Sequence, residues 1–146
     1  MNRLSRGKVL VGALNIDVAN DVVIGGDARV SGNLSATRSA STIADGASMV
    51  ASAAAIGTNT IASATPTTGR NVTTGTAAAI IALAGGYAVG DTTEFTLINL
   101  AAATHALTLV GGDGVSIVGS AVVSAASSAS WYVRIASATT VVLYRK

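Results

Sequence analysis

The C-terminal half of the chain, residues 69–146, consists of short runs of alternating apolar and polar residues separated by glycine-rich turns. Successive side chains of a β-strand point to opposite faces, so this alternation predicts strands with one buried face. Six runs have this character: Glu94–Leu100, Ala106–Val110, Val115–Val118, Ala121–Ser124, Trp131–Ala136 and Thr140–Tyr144. Their spacing predicts an all-β fold in which residues 69–146 form a small β-sandwich or a jelly-roll-like barrel.

The alternation also predicts which side chains face the core. One face of the last two runs carries Trp131, Val133, Ile135, Val141 and Leu143. Trp131 and Phe95 are expected to anchor the core, because they are the largest side chains of an otherwise aliphatic fold. Tyr132, Arg134 and Tyr144 point the opposite way. Because aromatic side chains are enriched at protein interfaces, Tyr132 and Tyr144 are candidate interface residues.

Two further segments precede this domain. Residues 1–36 contain period-two runs bounded by Gly, Asn and Asp, which predict a β-rich N-terminal arm. Residues 37–68 are rich in Ala, Ser and Thr, and we interpret them as a linker with either a short helix or an extended arm. In the helical alternative, Asp45 caps the helix and Gly57 ends it. Within the domain, Ala77–Leu83 predicts either a buried strand or a short helix.

The composition favours an assembly over a monomer. Half of the 146 residues are hydrophobic, but only 3% are aromatic and 11% are charged. Small apolar side chains bury little area each, and the low charge removes the usual defence against association. We therefore expect an obligate oligomer whose copies supply each other's missing burial.

The charge pattern and the hydropathy pattern exclude two classes of partner. The formal net charge is +2 and the basic residues between the two ends, Arg29, Arg38, Arg70 and Arg134, are scattered, whereas nucleic-acid binding normally needs a clustered basic face. The longest apolar run, residues 77–89, is shorter than the roughly 20 residues that a membrane-spanning helix needs. The sequence therefore predicts no nucleic-acid partner and no membrane partner.

Basic residues are concentrated at the two ends of the chain. Arg3, Arg6 and Lys8 lie near the N-terminus, and Arg145 and Lys146 are the last two residues. These side chains are either solvated or docked on an acidic partner surface. In the second alternative Arg3, Arg6 and Lys8 are candidate interface residues.

Few residues are suited to catalysis. His105 is the only histidine, Asp91 and Glu94 flank the start of a predicted strand, and no Gly-x-Ser-x-Gly motif occurs. The two carboxylates are explained as the turn and the solvent face of that strand. An acid/base role would require His105 to lie beside one of them in a cleft. We therefore predict no enzymatic activity and no catalytic residues.

Gly111–Gly114 resembles part of a calcium-binding or phosphate-binding loop. Only Gly25-Gly26-Asp27 echoes the calcium pattern, and no Lys-Ser/Thr pair follows the glycines. A tight turn explains the motif better, because glycine supplies a positive φ and aspartate hydrogen-bonds its own backbone. We predict no metal at Asp113 or Asp27, and no cofactor.

Two passages resemble proteins of tailed-phage particles. The passage from Val89 to Gly119, followed by the Trp131–Ile135 run, is similar to that of capsid decoration (cement) and head-fibre proteins. This resemblance implies a virion protein on the outer capsid surface, with the major capsid protein as its partner. It also implies a homotrimer seated where capsid subunits meet, with no catalytic residues.

Two alternatives remain open. Residues 23–34, Val-Ile-Gly-Gly-Asp-Ala-Arg-Val-Ser-Gly-Asn-Leu, resemble segments of trimeric phage fibres and favour a tail-fibre, spike or head-fibre component. A non-viral carbohydrate-binding or ice-binding β module is the alternative from another class. Ice binding requires regular threonine arrays, and the triplets Thr58-Asn59-Thr60 and Thr74-Gly75-Thr76 are isolated and out of period.

Overall fold

Residues 38–58, 60–83 and 88–146 are described by a computed structural model of the chain. They form ten strands and two helices: β1 (Ala40–Thr42), β2 (Met49–Ala51), α1 (Ala53–Gly57), β3 (Ile61–Ala64), β4 (Arg70–Thr74), α2 (Ala77–Leu83), β5 (Thr92–Asn99), β6 (Leu107–Val110), β7 (Val115–Val118), β8 (Val122–Val123), β9 (Ser127–Ser137) and β10 (Thr140–Arg145). The predicted N-terminal β arm, residues 1–36, lies outside the described residues.

The strands form two mixed sheets. The six-stranded sheet has the order β1-β3-β5-β9-β10-β7, and the four-stranded sheet has the order β2-β4-β6-β8. Up to β6, consecutive strands alternate between the two sheets, so the chain passes through both sheets in each of three successive coils. Each time the chain re-enters a sheet it runs in the same direction as before. The strands β1, β3 and β5 are therefore parallel to one another, and so are β2, β4 and β6.

The coils stack in register. Ala40 lies beside Ile61, which in turn lies beside Thr96 in the six-stranded sheet. In the four-stranded sheet, Met49 lies beside Val72. The last part of the chain is antiparallel: β9 pairs with β5 and β10, and β7 joins the far side of β10 in parallel.

The two helices connect the four-stranded sheet back to the six-stranded sheet. The Ser52 hydroxyl accepts a hydrogen bond from the Ala55 N–H and caps α1, while the Thr76 hydroxyl accepts one from the Ala79 N–H at the start of α2. The helices contact each other, and their Ile56 and Ile80 side chains are buried in the core. Ala77–Leu83 forms the helix α2, so of the two conformations predicted for this segment the short helix is correct.

The inward faces of both sheets and the two helices contribute to one buried cluster. Its largest members are Met49, Ile56, Val72, Ile80, Phe95, Leu97, Leu107, Leu109, Val123, Trp131, Val141 and Leu143. The rings of Phe95 and Trp131 lie 6.0 Å apart between centroids, and both residues are fully buried. The predicted core faces of β9 and β10 are confirmed, since Val133 and Ile135 are buried whereas Tyr132 and Arg134 are exposed.

The structure confirms a β-rich fold and differs from the sequence prediction in its middle segment. Residues 40–64 belong to the segment predicted as a linker with either a short helix or an extended arm, and they contribute β1, β2, the short helix α1 and β3 to the same compact unit as the C-terminal strands. Asp45 does not cap a helix; its carboxylate binds Thr67 and Arg70 instead. The interpretation missed these strands because they are three or four residues long and rich in alanine and serine, which are weak strand signals.

Candidate interaction surface

The outer face of the six-stranded sheet carries the two tyrosines that the sequence analysis singled out. Tyr132 of β9 and Tyr144 of β10 are direct cross-strand partners. Glu94 of β5 pairs with Tyr132, and Val118 of β7 pairs with Tyr144, so one row of side chains crosses four strands. Tyr132 is 46% exposed and Tyr144 is 36% exposed. We call the residues Arg38, Glu94, Val118, Tyr132, Arg134, Tyr144 and Lys146 the tyrosine face.

An ionic network borders this row. The Glu94 carboxylate accepts hydrogen bonds from Lys146 Nζ and from Arg38 Nη2, each at 2.7 Å. The Lys146 ammonium also lies 4.6 Å from the centroid of the Tyr132 ring, where the electron-rich face of the ring attracts it. The network therefore fixes the position of Lys146 against Tyr132.

The same contacts shift two pKa values. The hydrogen bond from Lys146, and then the one from Arg38, lowers the pKa of Glu94. The hydrogen bond to Glu94 raises the pKa of Lys146. Both groups consequently stay charged over a wider pH range than they would in an unfolded chain.

The tyrosine face has a surplus of positive charge. Two cations, Arg38 and Lys146, share the single carboxylate of Glu94. Arg134 lies one row away on β9, is exposed, and makes no ion pair within the described residues. Tyrosine and arginine are enriched at protein interfaces, and this charge suits a partner surface that carries carboxylates.

The structure brings together only some of the predicted interface residues. Tyr132 and Tyr144 lie side by side, whereas Arg3, Arg6 and Lys8 lie outside the described residues. Sequence reasoning missed the roles of Arg38, Glu94 and Lys146. These residues are far apart in the chain. The pairings β1–β3–β5 bring Arg38 to Glu94, and the pairings β5–β9–β10 bring Lys146 there.

The residues considered for acid/base chemistry are separated. Asp91 precedes β5 and accepts a hydrogen bond from the Ala88 N–H, whereas His105 follows β5. The eight residues of β5 span about 25 Å at the usual strand rise. His105 does not lie beside Asp91, and Glu94 faces outward with Lys146 and Arg38 as its partners.

The Gly111–Gly114 motif forms a tight turn. The Gly112 carbonyl accepts a hydrogen bond from the Val115 N–H, and Gly114 has a φ of +72°. This left-handed conformation favours glycine, as the turn interpretation of the motif expects. Within the described residues, no group of three or more His, Cys, Asp or Glu side chains is arranged to hold a metal ion.

A shallow open depression lies where β5 ends and β9 begins. Its lining includes Ile98, Asn99, Leu100, Ala126 and Ser127. The Asn99 side chain is fully buried and its amide is hydrogen-bonded to backbone groups of the protein. The depression therefore lacks a polar side chain that is both buried and free to bind a ligand.

Among the described residues, neither helix has the length and apolar character needed to cross a membrane. Comparisons of the chain with protein-family models, with curated proteins and with solved structures give no match.

Proposed function

We propose that this chain is a structural protein of a tailed-phage particle that binds the outer capsid surface and stabilises it, as a decoration (cement) protein. In this proposal the protein acts as a homotrimer, its two sheets form the layers of a small β-sandwich, and its partner is the major capsid protein. The resemblance of residues 89–119 to decoration and head-fibre proteins supports the class of protein.

The tyrosine face is the observation that carries this proposal. It combines two adjacent exposed tyrosines, a surplus of positive charge and a set of four neighbouring strands that holds them in register. A flat surface with ordered side chains suits docking on another folded protein, since few side chains must lose freedom on binding. We place the capsid contact here. The expectation that Arg3, Arg6 and Lys8 also contact the particle remains a prediction.

Co-sedimentation with expanded shells of the phage that encodes the chain tests the proposal. The full chain should bind the shells and should bind them more weakly as salt is added, because charged groups contribute to the contact. Tyr144→Ser should weaken binding about tenfold or more, as truncation of a central aromatic anchor does. Val89→Ser is the control, because Val89 lies in a turn, is 62% exposed and is not on the tyrosine face.

The proposal fails if the unaltered chain does not bind the shells. If the chain binds and Tyr144→Ser binds equally well, the capsid contact lies elsewhere on the molecule. Arg134→Ala tests the electrostatic contribution to shell binding separately. This variant should reduce the salt dependence of binding while leaving Tyr132 and Tyr144 in place.

A fibre or spike component is the second candidate, and the coil architecture favours it. The three coils stack in parallel, and β1 and β2, the strands of the first coil, are edge strands of their sheets. Stacked coils of this kind extend along one axis when further coils are added. Small-angle X-ray scattering of the purified chain distinguishes the candidates: a compact oligomer supports a decoration protein, and a long extended one supports a fibre.

A further inference from the structure

The outer face of the four-stranded sheet carries a second exposed patch of different character. Val50 of β2, Val110 of β6 and Val122 of β8 are 53%, 36% and 47% exposed. The strand registers place two rows across this face: Val50–Thr73–Val110 and Asn71–Thr108–Val122. We call these six residues the valine face.

The valine face contains no charged side chain. Two charged residues at its border, Arg70 and Arg145, are engaged in other contacts. Arg70, at the start of β4, pairs with Asp45 at 2.9 Å. The Arg145 guanidinium donates to the carbonyl oxygens of Ser120 and Val122 and lies 5.0 Å from the centroid of the Trp131 ring. The face therefore consists of three exposed valines and three uncharged polar residues, and a low share of charged residues is typical of the core of a protein interface.

Buried and exposed residues alternate along the strands of this sheet. β2, β4 and β6 are parallel to one another, and β8 is antiparallel to β6. The inner side chains of these strands, such as Met49, Val72 and Leu107, are in the core. The outer side chains are β-branched or polar and uncharged.

The absence of charge on the valine face argues that a second copy of this chain covers it. A partner surface that carries carboxylates would bind the tyrosine face instead, where cations are in surplus. A surface without charge has no like-charge repulsion against an identical surface, so two or three copies are able to meet there. The core supports this conclusion, because Ala51, Ala55, Ala62, Ala64 and Ala77 are buried in it and bury little area each.

We infer that the valine face is the self-association interface of this protein, and that Val50, Val110 and Val122 are buried between copies. This inference rests on the oligomeric state in the proposed function and assigns a surface to it. The two exposed faces then have different partners: copies of the chain meet at the valine face, and the tyrosine face stays free for the particle.

A charge introduced into the valine face tests the inference. Sedimentation velocity or light scattering of the full chain should give a mass that is a multiple of 14.3 kDa. Val110→Glu should raise the dissociation constant at least about a hundredfold, because it buries a charge without a partner. Val122→Glu should act in the same direction from another strand. Val89→Glu, the same substitution at an exposed turn position, should keep the mass of the unaltered chain.

Folding is monitored in the same samples. Because Val110 and Val122 point outward, the variants should keep the far-ultraviolet circular dichroism spectrum of the unaltered chain. A cross-link gives a measurement that does not depend on a destabilising variant. The chain contains no cysteine, so Thr73→Cys introduces a single thiol at the centre of the Val50–Thr73–Val110 row. A short bis-maleimide should then join two chains, and Thr92→Cys on the other sheet should not.

Three results overturn the inference: a monomeric unaltered chain, Glu variants that keep the oligomeric mass, or equal cross-linking through residues 73 and 92. A monomeric chain whose binding to shells is lost in Val110→Glu would assign the valine face to the particle instead. Conversely, an oligomer that Val110→Glu dissociates, from a chain that does not bind shells, supports the interface and contradicts the capsid role.

Discussion

The buried side chain of Asn99 stabilises the backbone around the C-terminal end of β5 by hydrogen bonds. It is fully buried, and its Nδ2 donates to the carbonyl oxygens of His105 and Val123 at 2.8 and 3.0 Å. Its Oδ1 accepts from the Ala101 N–H at 3.0 Å. One side chain thus satisfies two backbone groups in the loop between β5 and β6 and one in β8. Buried backbone groups without a partner are costly, so these bonds hold the loop in place.

Replacing Asn99 should be strongly destabilising. Asn99→Ala removes all three hydrogen bonds and leaves buried backbone groups unpaired, and we expect a loss of about 3 kcal/mol in the free energy of unfolding. Chemical denaturation measures this loss. Thr104→Ala, at an exposed position in the same loop, should change the free energy of unfolding by less than about 0.5 kcal/mol. Equal stability of the two variants would show that the hydrogen bonds of Asn99 contribute little.

Asp45 is the residue at which stability should depend on acid pH. Its carboxylate accepts hydrogen bonds from the Thr67 hydroxyl at 2.6 Å, from Arg70 Nε at 2.9 Å and from the Thr67 N–H at 3.1 Å. These bonds, that of the Thr67 hydroxyl first, lower the pKa of Asp45 from 3.8 to about 2. The contacts join the segment before β2 to Thr67, which precedes β4, and to Arg70, the first residue of β4.

The sign of the pH effect follows from this lowered pKa. The folded state holds the Asp45 carboxylate ionised, so its contribution to stability is complete above pH 3.8 and is lost as the pH falls toward about 2. Asp45→Asn should therefore lose less stability than the unaltered chain over that interval, in denaturation curves recorded at several pH values. Asp113→Asn, at an exposed turn residue, is the control and should keep the slope of the unaltered chain. If Asp45→Asn kept the pH dependence of the free energy of unfolding of the unaltered chain, Asp45 would not be the source of the acid sensitivity.

At the scale of elements, Gly112 lets the loop after β6 lie against the end of β4. Its N–H donates to the Thr74 hydroxyl at 2.8 Å. A Cβ placed on Gly112 would lie 2.5 Å from the Thr74 carbonyl oxygen and 2.8 Å from that of Gly75. Both neighbours are backbone atoms, so they are unable to move aside as a side chain would. The close stacking of successive coils at this point requires a residue without a Cβ.

Gly112→Ala should therefore destabilise the protein by about 2 kcal/mol, because the coils must separate locally to admit the methyl group. Gly46→Ala is the matched control, since a Cβ at Gly46 meets nothing within 4 Å and an alanine there also restricts the unfolded chain. The control should be neutral or slightly stabilising in thermal and chemical denaturation. If Gly112→Ala were as stable as Gly46→Ala, the coils would be less tightly stacked than the structure shows.

At the scale of the whole molecule, we expect stability to depend on association, because many side chains of the core are small. Unfolding of an oligomer that has no stable monomer depends on protein concentration by mass action. We therefore expect the melting temperature to rise with concentration in differential scanning calorimetry over the micromolar range. A concentration-independent, cooperative transition of a monomer would contradict the expectation.

The sequence by itself located most of the C-terminal strands, although Arg70–Thr74 was not among the six predicted runs. Side-chain size identified Phe95 as a core residue, and period-two alternation, a local property, placed Trp131 on the core face and Tyr132 and Tyr144 on the opposite one. It did not determine which strands are neighbours, because parallel and antiparallel partners satisfy the same alternation. The short strands from Ala40 to Ala64 were also missed, since their residues have little strand propensity and are held by pairing with longer strands.

Only the tertiary structure decided how the two exposed faces are composed. The Arg38–Glu94–Lys146 network and the rows of the valine face join residues that are distant in the chain, and they depend on strand register. A shift by one residue would turn each of these side chains to the other face. Local pattern therefore specified the strands, and long-range pairing specified the surfaces that they build.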